Sequence, residues 1–234
     1  MEREIREFPS PHYREYRLAK VDTVIIHYIS AINIDKDNPF DTNKILDLLT
    51  KPIKFGSTAV KVSAHYLITR EGVVYRLVDE KHVSWHSGTS QMPDGRKIRD
   101  SVNDFSIGIE LEGGDWIEFT NDQYECLIKL LKSIVIKYNV GQDFILGHCD
   151  VAPGRKQDPG KQFDWDRVLT KVFSPVEPAA ANKLTIIPKK TDEPEVKPID
   201  ITDGRDIIDE TSPANNKTVW NKLINFLTGL FNTK

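Results

Sequence analysis

Two apolar runs that each deliver a histidine at their end constrain this chain more than any other feature. Val24-Ile25-Ile26 leads into His27, and Phe144-Ile145-Leu146-Gly147 leads into His148. Continuous apolar runs this short read as strands buried on both faces, the pattern of a sheet covered by helices. Strands are expected near residues 22–28, 63–69, 73–78, 106–112 and 144–147. A helix is expected at about 41–50, after Asn38-Pro39. A longer one is expected at about 121–138, where Thr120 is a good N-cap and Gln123 completes a capping box. Its Leu127, Leu130, Leu131, Ile134, Val135 and Tyr138 recur at helical spacing. Strands interleaved with helices make the chain an α/β protein.

His27, His148 and Asp158, the last carried by the loop APGRKQDPG, form a candidate ligand set. Two imidazoles and one carboxylate suit a catalytic zinc, which keeps its fourth position for water. Asp158 precedes Pro159, which favours extended backbone there and sets Lys156, two residues earlier, on the same side as a cation beside the metal. Spacing alone leaves the assignment open, because the chain has no His-Glu-x-x-His and no Cys-x-x-Cys. A single histidine at a strand end is more often a hydrogen-bonded structural residue. Cys149 is the internal rival to Asp158, since a thiolate also binds zinc well. Adjacent side chains on an extended segment point apart, which counts against it as a co-ligand of His148. Asp150 is a candidate for orienting a histidine from behind. His65, inside Ala64-His65-Tyr66-Leu67-Ile68, reads as a sheet histidine with satisfied hydrogen bonds.

Five ordered blocks carry a family resemblance: IIHYISA (25–31), VSAHYLITREG (62–72), SWHSG (84–88), NDFSIGIELEG (103–113) and GHCDVAPGRKQDPGKQFDW (147–165). Together they resemble the zinc N-acetylmuramoyl-L-alanine amidases of the AmpD-like, amidase-2 family, whose fold is similar to phage T7 lysozyme and the peptidoglycan recognition proteins. The resemblance runs from about Ser10 to about Val172. It implies a single mixed β-sheet flanked by helices, one Zn2+ held by His27, His148 and Asp158, Glu110 as general base, and Lys156 as the stabiliser of the oxyanion. It also implies cleavage of the amide between muramic acid and L-alanine in peptidoglycan or an anhydromuropeptide.

Local chemistry agrees with these roles. In SIGIELE, alternation puts Ile107, Ile109 and Leu111 on one face and Glu110 and Glu112 on the other. Glu110 can then face a cleft and exchange a proton with water and the leaving amine, while Glu112 reads as a solvated strand-end carboxylate. Lys156 would stabilise the oxyanion by charge. Trp85 and His86 are candidates for lining the substrate groove, the indole stacking on a sugar and the imidazole donating a hydrogen bond; simple packing is the equal alternative for the pair. The polar segment from Ser87 to Val102 would form the rim. Two readings of other classes compete: a non-catalytic peptidoglycan-binding module, and a zinc hydrolase of another amide. A pure binder has no need of the metal set, Glu110 and Lys156 together.

With 234 residues and 39% hydrophobic content, the chain can bury one full core plus something smaller. A net charge of -3 gives no footprint for nucleic acid. No apolar run approaches the ~20 residues that cross a bilayer. The segment MEREIREFPSPHYREYR lacks the apolar core of a secretory signal, and two cysteines allow at most one disulfide, so a cytoplasmic location is favoured. The catalytic domain is assigned to residues 1–173. Residues 174–213 hold six of the thirteen prolines and read as a Pro-rich, acidic linker, with Ile186-Ile187 and Ile207-Ile208 as adhesive pairs. Residues 214–234 read as an amphipathic helix with Trp220, Leu223, Ile224, Leu227, Leu230 and Phe231 in one stripe. So short a helix needs a surface: its own domain, a second copy through self-association, or wall or membrane.

Overall fold

Seven strands form one mixed sheet: β1 (Ile5–Glu7), β2 (Thr23–Ile29), β3 (Tyr66–Ile68), β4 (Val74–Arg76), β5 (Ser106–Glu112), β6 (Ile145–Gly147) and β7 (Ile186–Ile187). The computed structural model describes residues 4–55, 58–94, 97–174 and 186–187. The strand order is β6-β2-β5-β3-β4-β1-β7. Only β3 and β4 pair antiparallel, across the Gly72 turn; β6, β2, β5 and β3 run parallel, and so do β4, β1 and β7. Among the described residues, four helices accompany the sheet: α1 (Thr42–Thr50), α2 (Asn121–Tyr138), α3 (His148–Val151) and α4 (Trp165–Phe173). Short antiparallel pairs join Tyr13–Arg14 to Val83–Ser84, Ile53–Phe55 to Thr58–Val60, and Gln91–Asp94 to Lys97–Asp100.

β2 and β5 are buried at every residue because each lies between two other strands, with packed layers on both faces. One face is apolar apart from tyrosine hydroxyls. Val24, Ile26 and Tyr28 of β2, with Ile107, Ile109 and Leu111 of β5, pack in one cluster with Leu127, Leu131 and Ile134 of α2 and Val168 and Val172 of α4. α2 starts where expected, at a Thr120 cap with a complete capping box to Gln123. The other face is divided. Ile29 packs with Ile45, Leu46, Leu48 and Leu49 of α1, whose N-cap is Asp41, whereas Ile25 packs with Met92, Val102, Phe105 and Val151. His27 alternates onto this face between those two clusters. That break in the apolar cover positions the site.

The central strands and helices α1 and α2 lie where the sequence pattern puts them. Helix α4, β1 and the three short pairs were not expected. β7 falls within the stretch read as linker, where Ile5 and Arg6 pair parallel with Ile186 and Ile187. The rest of that linker, including Ile207-Ile208, and the amphipathic helix of 214–234 with its self-association lie outside the described residues. Among the described residues, no helix is long and apolar enough to cross a membrane.

Candidate active site

Parallel register does the first positioning. β2 and β5 pair so that His27 lies directly opposite Glu110, and both side chains point to the face that α2 leaves free. β6 flanks β2 on its other side with Gly147 opposite Ile26, so the chain leaves the sheet next to His27. His148 then opens a short helix rather than ending a strand. The reason is a cap: the Asp150 carboxylate accepts the Gly147 N–H at 2.7 Å, and the Ala152 N–H reaches back to the His148 carbonyl at 3.0 Å. Asp150 is therefore spent on backbone capping and does not orient a histidine. Asp158 returns to the same place because the Cys149 N–H donates to its carbonyl at 3.0 Å; the Asp158–Pro159 peptide is cis.

Three ligand atoms meet there. His27 Nδ1 and His148 Nδ1 each lie 3.0 Å from Asp158 Oδ2 and 2.9 Å from one another. All three residues are buried. His148 Nε2 donates to the Ser87 carbonyl at 3.0 Å, which leaves its Nδ1 as a lone pair facing the cluster. Burial pushes the His148 imidazole down to about 3, so it is neutral near pH 7. Burial pushes the Asp158 carboxyl upward, but His148, Lys156 and the two hydrogen bonds more than offset it and hold the group well below the ordinary range. A neutral imidazole and an ionised carboxylate are metal-ligand forms. The second oxygen, Asp158 Oδ1, is buried with no hydrogen-bond partner, as is Glu110 Oε2. Lone pairs packed this closely repel unless a cation sits among them, and two imidazoles with a carboxylate are ligands that a divalent transition metal takes. A tetrahedral zinc with bonds of ~2.0–2.1 Å spaces its ligand atoms by about 3.3 Å, so the cluster fits after opening by a few tenths of an ångström.

Glu110 and Lys156 lie close enough to the cluster to interact with it electrostatically. Burial pushes Glu110 up to about 7, the nearby His27 pulls it down, Asp158 pushes it up and Lys156 pulls it down. Burial lowers the Lys156 ammonium, which Asp158 and Glu110 partly hold up against Arg155. Cys149 sits on the first turn of α3, half-buried, and burial beside Asp150 pushes its thiol up to about 11, away from the ligand form.

Glu112 is fully buried rather than solvated: it accepts from Thr42 Oγ1 at 2.6 Å and from the Arg70 N–H at 2.9 Å, tying β5 to α1. Trp85 stacks on His12, with ring centroids 6.2 Å apart and planes 9° apart. His86 turns inward and is buried, its Nδ1 3.0 Å from His27 Nε2 and its Nε2 3.1 Å from Ser106 Oγ. Both of its ring nitrogens are engaged within the protein, so the structure places it behind His27 rather than in an open groove. His65 takes the sheet role expected of it, its Nδ1 accepting the Gly108 N–H at 3.0 Å. Arg155, not singled out from the sequence, donates to the Ser87 and Thr89 carbonyls at 2.7 and 2.6 Å and braces the segment after His86.

The family model described as N-acetylmuramoyl-L-alanine amidase, amidase-2, matches residues 17–161. The chain belongs to that family. It is 37% identical over 173 residues to the 1,6-anhydro-N-acetylmuramyl-L-alanine amidase AmpD of Haemophilus influenzae, covering 71% of this chain and 91% of that protein. It is 36% identical over 169 residues to the AmpD of Salmonella typhimurium strain SL1344, covering 70% and 88%. Among solved structures, a selenomethionine AmpD derivative superposes with a TM-score of 0.63 at 34% identity, covering 72% of this chain and 94% of that one. Escherichia coli AmiD, solved with anhydro-N-acetylmuramic acid-L-Ala-D-γ-Glu-L-Lys, gives 0.51 at 28% identity, covering 68% and 60%. The matched span holds His27, Glu110, His148, Lys156 and Asp158, so the cluster lies inside the amidase domain.

Proposed function

We propose that this amidase hydrolyses the amide between the lactyl group of a 1,6-anhydro-N-acetylmuramoyl residue and the L-alanine of its stem peptide, using one zinc ion held by His27, His148 and Asp158. The observation that carries this reading is the meeting of three buried ligand atoms within 4.8 Å, with Glu110 one strand away on the same face. The anhydro form is favoured because the AmpD relatives are named for it and AmiD was solved with such a fragment.

When bound, zinc supplies positive charge that acidifies the attacking water and polarises the scissile carbonyl. Glu110 takes the proton that water releases as its oxygen bonds to the carbonyl carbon. It then returns that proton to the alanine nitrogen as the C–N bond breaks, leaving a lactyl carboxylic acid and a free peptide. A carboxyl pushed up to about 7 suits both transfers near neutral pH. Lys156, half-buried and close enough to feel both Asp158 and Glu110, stabilises the oxyanion by charge.

Product analysis by mass tests the reading. Incubation with anhydromuramyl tripeptide should release the intact tripeptide, and faster than ordinary muramyl tripeptide does. Binding without cleavage would assign a recognition module instead, and cleavage within the peptide would assign a hydrolase of another bond.

A further inference from the structure

Behind His27 lies a hydrogen-bond chain whose direction is set at its far end. Ser106 Oγ is 2.6 Å from the Val102 carbonyl, an acceptor only, so the single hydroxyl proton of Ser106 is committed there. The contact of 3.1 Å between Ser106 Oγ and His86 Nε2 therefore needs its proton from the ring. A neutral His86 protonated on Nε2 has a bare Nδ1, which faces His27 Nε2 at 3.0 Å and must accept from it. The Ser87 hydroxyl, also 3.0 Å from that Nδ1, is a second donor to the same lone pair. The chain thus runs from His27 Nε2–H through His86 and Ser106 to the Val102 carbonyl, and every group in it is buried.

The space for this ring is made by a missing side chain. Gly108 sits in the middle of β5, where a glycine weakens a strand and marks a close approach. A Cβ built on it would lie 2.4 Å from His86 Cγ and 2.6 Å from both Cδ2 and Nδ1. The His86 ring therefore lies flat against the backbone of the strand that also carries Glu110.

We propose that His86, seated on Gly108 and aligned by Ser106, is a positioning residue that fixes His27 as its Nε2–H tautomer and so presents Nδ1 to the metal. This rests on the metal reading given above. His148 is fixed in the same tautomer by the Ser87 carbonyl, one residue further along. The single segment Trp85-His86-Ser87 thereby sets both imidazole ligands, and partners of this kind are worth roughly 10–100-fold in metal affinity.

The test is zinc affinity by competition with a chromophoric chelator on the full chain, for wild type, His86→Leu and His86→Asn. Leucine removes the acceptor, while asparagine places Oδ1 near the position of the imidazole Nδ1. The expected result is a Kd raised roughly 10–100-fold in His86→Leu and largely restored in His86→Asn. Equal affinity in wild type and a folded His86→Leu would overturn the proposal while leaving the metal reading intact. Failure of wild type to bind zinc would instead remove the metal reading on which the proposal depends, and the proposal with it. A second measurement needs no variant: long-range proton–nitrogen spectra of metal-free wild type should show His27 protonated on Nε2, and an Nδ1–H pattern would overturn the assignment even if His86→Leu does not fold.

Discussion

Glu110 and His27 are 83 residues apart in sequence yet opposite one another in register, and substitution separates the roles proposed for them. Glu110→Gln keeps size and hydrogen bonding but cannot take a proton, so zinc content should be unchanged while kcat falls by about 10²–10⁴-fold, the usual worth of general acid–base catalysis. Asp158→Ala should lose zinc and activity together. Metal analysis beside steady-state kinetics checks both, and a zinc-replete, active Asp158→Ala would return attention to Cys149. The meeting of His27, His148 and Asp158 was legible because each follows an apolar run or a turn-rich loop. His86 was not, since its partners are set by register and by an absent side chain at Gly108; a glycine in an otherwise apolar strand was the available signal. Asp150 was misjudged for a similar reason. Its position three residues after Gly147 is a capping spacing, and the cap turned the expected extended segment into helix.

The elements were legible in proportion to the length of their pattern. β2, β5 and α2 each repeat a period several times, and their observed bounds lie within about a residue of the pattern. β1 has three residues and the Tyr13–Arg14 pair two, too few to show alternation, and both exist because a partner strand is present. α2 owes its start to local chemistry: Thr120 Oγ1 accepts the Gln123 N–H at 3.1 Å and donates to the Arg70 carbonyl at 2.7 Å, joining the helix cap to the loop after β3. Thr120→Ala loses both bonds and should destabilise the protein by about 1–2 kcal/mol. Chemical denaturation reads this as a lower midpoint at constant slope, and an unchanged midpoint would mean that α2 is held by its buried leucines alone.

At the scale of the molecule, buried titratable groups set the response to acid. Burial pushes His65 and His148 down to about 3, so between pH 6.5 and 3 the unfolded chain binds more protons at these sites, and stability they confer above pH 6.5 is lost as pH falls. Burial pushes Glu110 and Glu112 up to about 7, which works the other way: their stability is full below pH 4.5 and lost as pH rises. Between pH 6.5 and 4.5 the two carboxyls oppose these histidines and His86, which burial also holds well below the ordinary range. Below 4.5 that opposition ends, and Asp158, whose carboxyl His148 and Lys156 hold low against burial, adds to the loss. Thermal melting of the chelated protein should therefore fall gently from pH 6.5 to 4.5 and steeply below; an equally steep fall across the upper range would contradict the assignment of these buried states. β7 gives the tail a testable part in stability. Truncation after Lys190 keeps Ile186–Ile187 on the edge of β1, whereas truncation after Phe173 bares that edge. Both forms should still cleave a soluble muropeptide, with the shorter one melting a few degrees lower; loss of cleavage in either would show that the catalytic unit extends beyond Phe173. The measurement closest to the central claim is a zinc titration of the chelated full chain, followed by release of tripeptide from anhydromuramyl tripeptide. Activity should be absent at first, rise linearly, and stop rising at about one zinc per chain; full activity in the chelated protein, or saturation with zinc without cleavage, would contradict a metal amidase built on His27, His148 and Asp158.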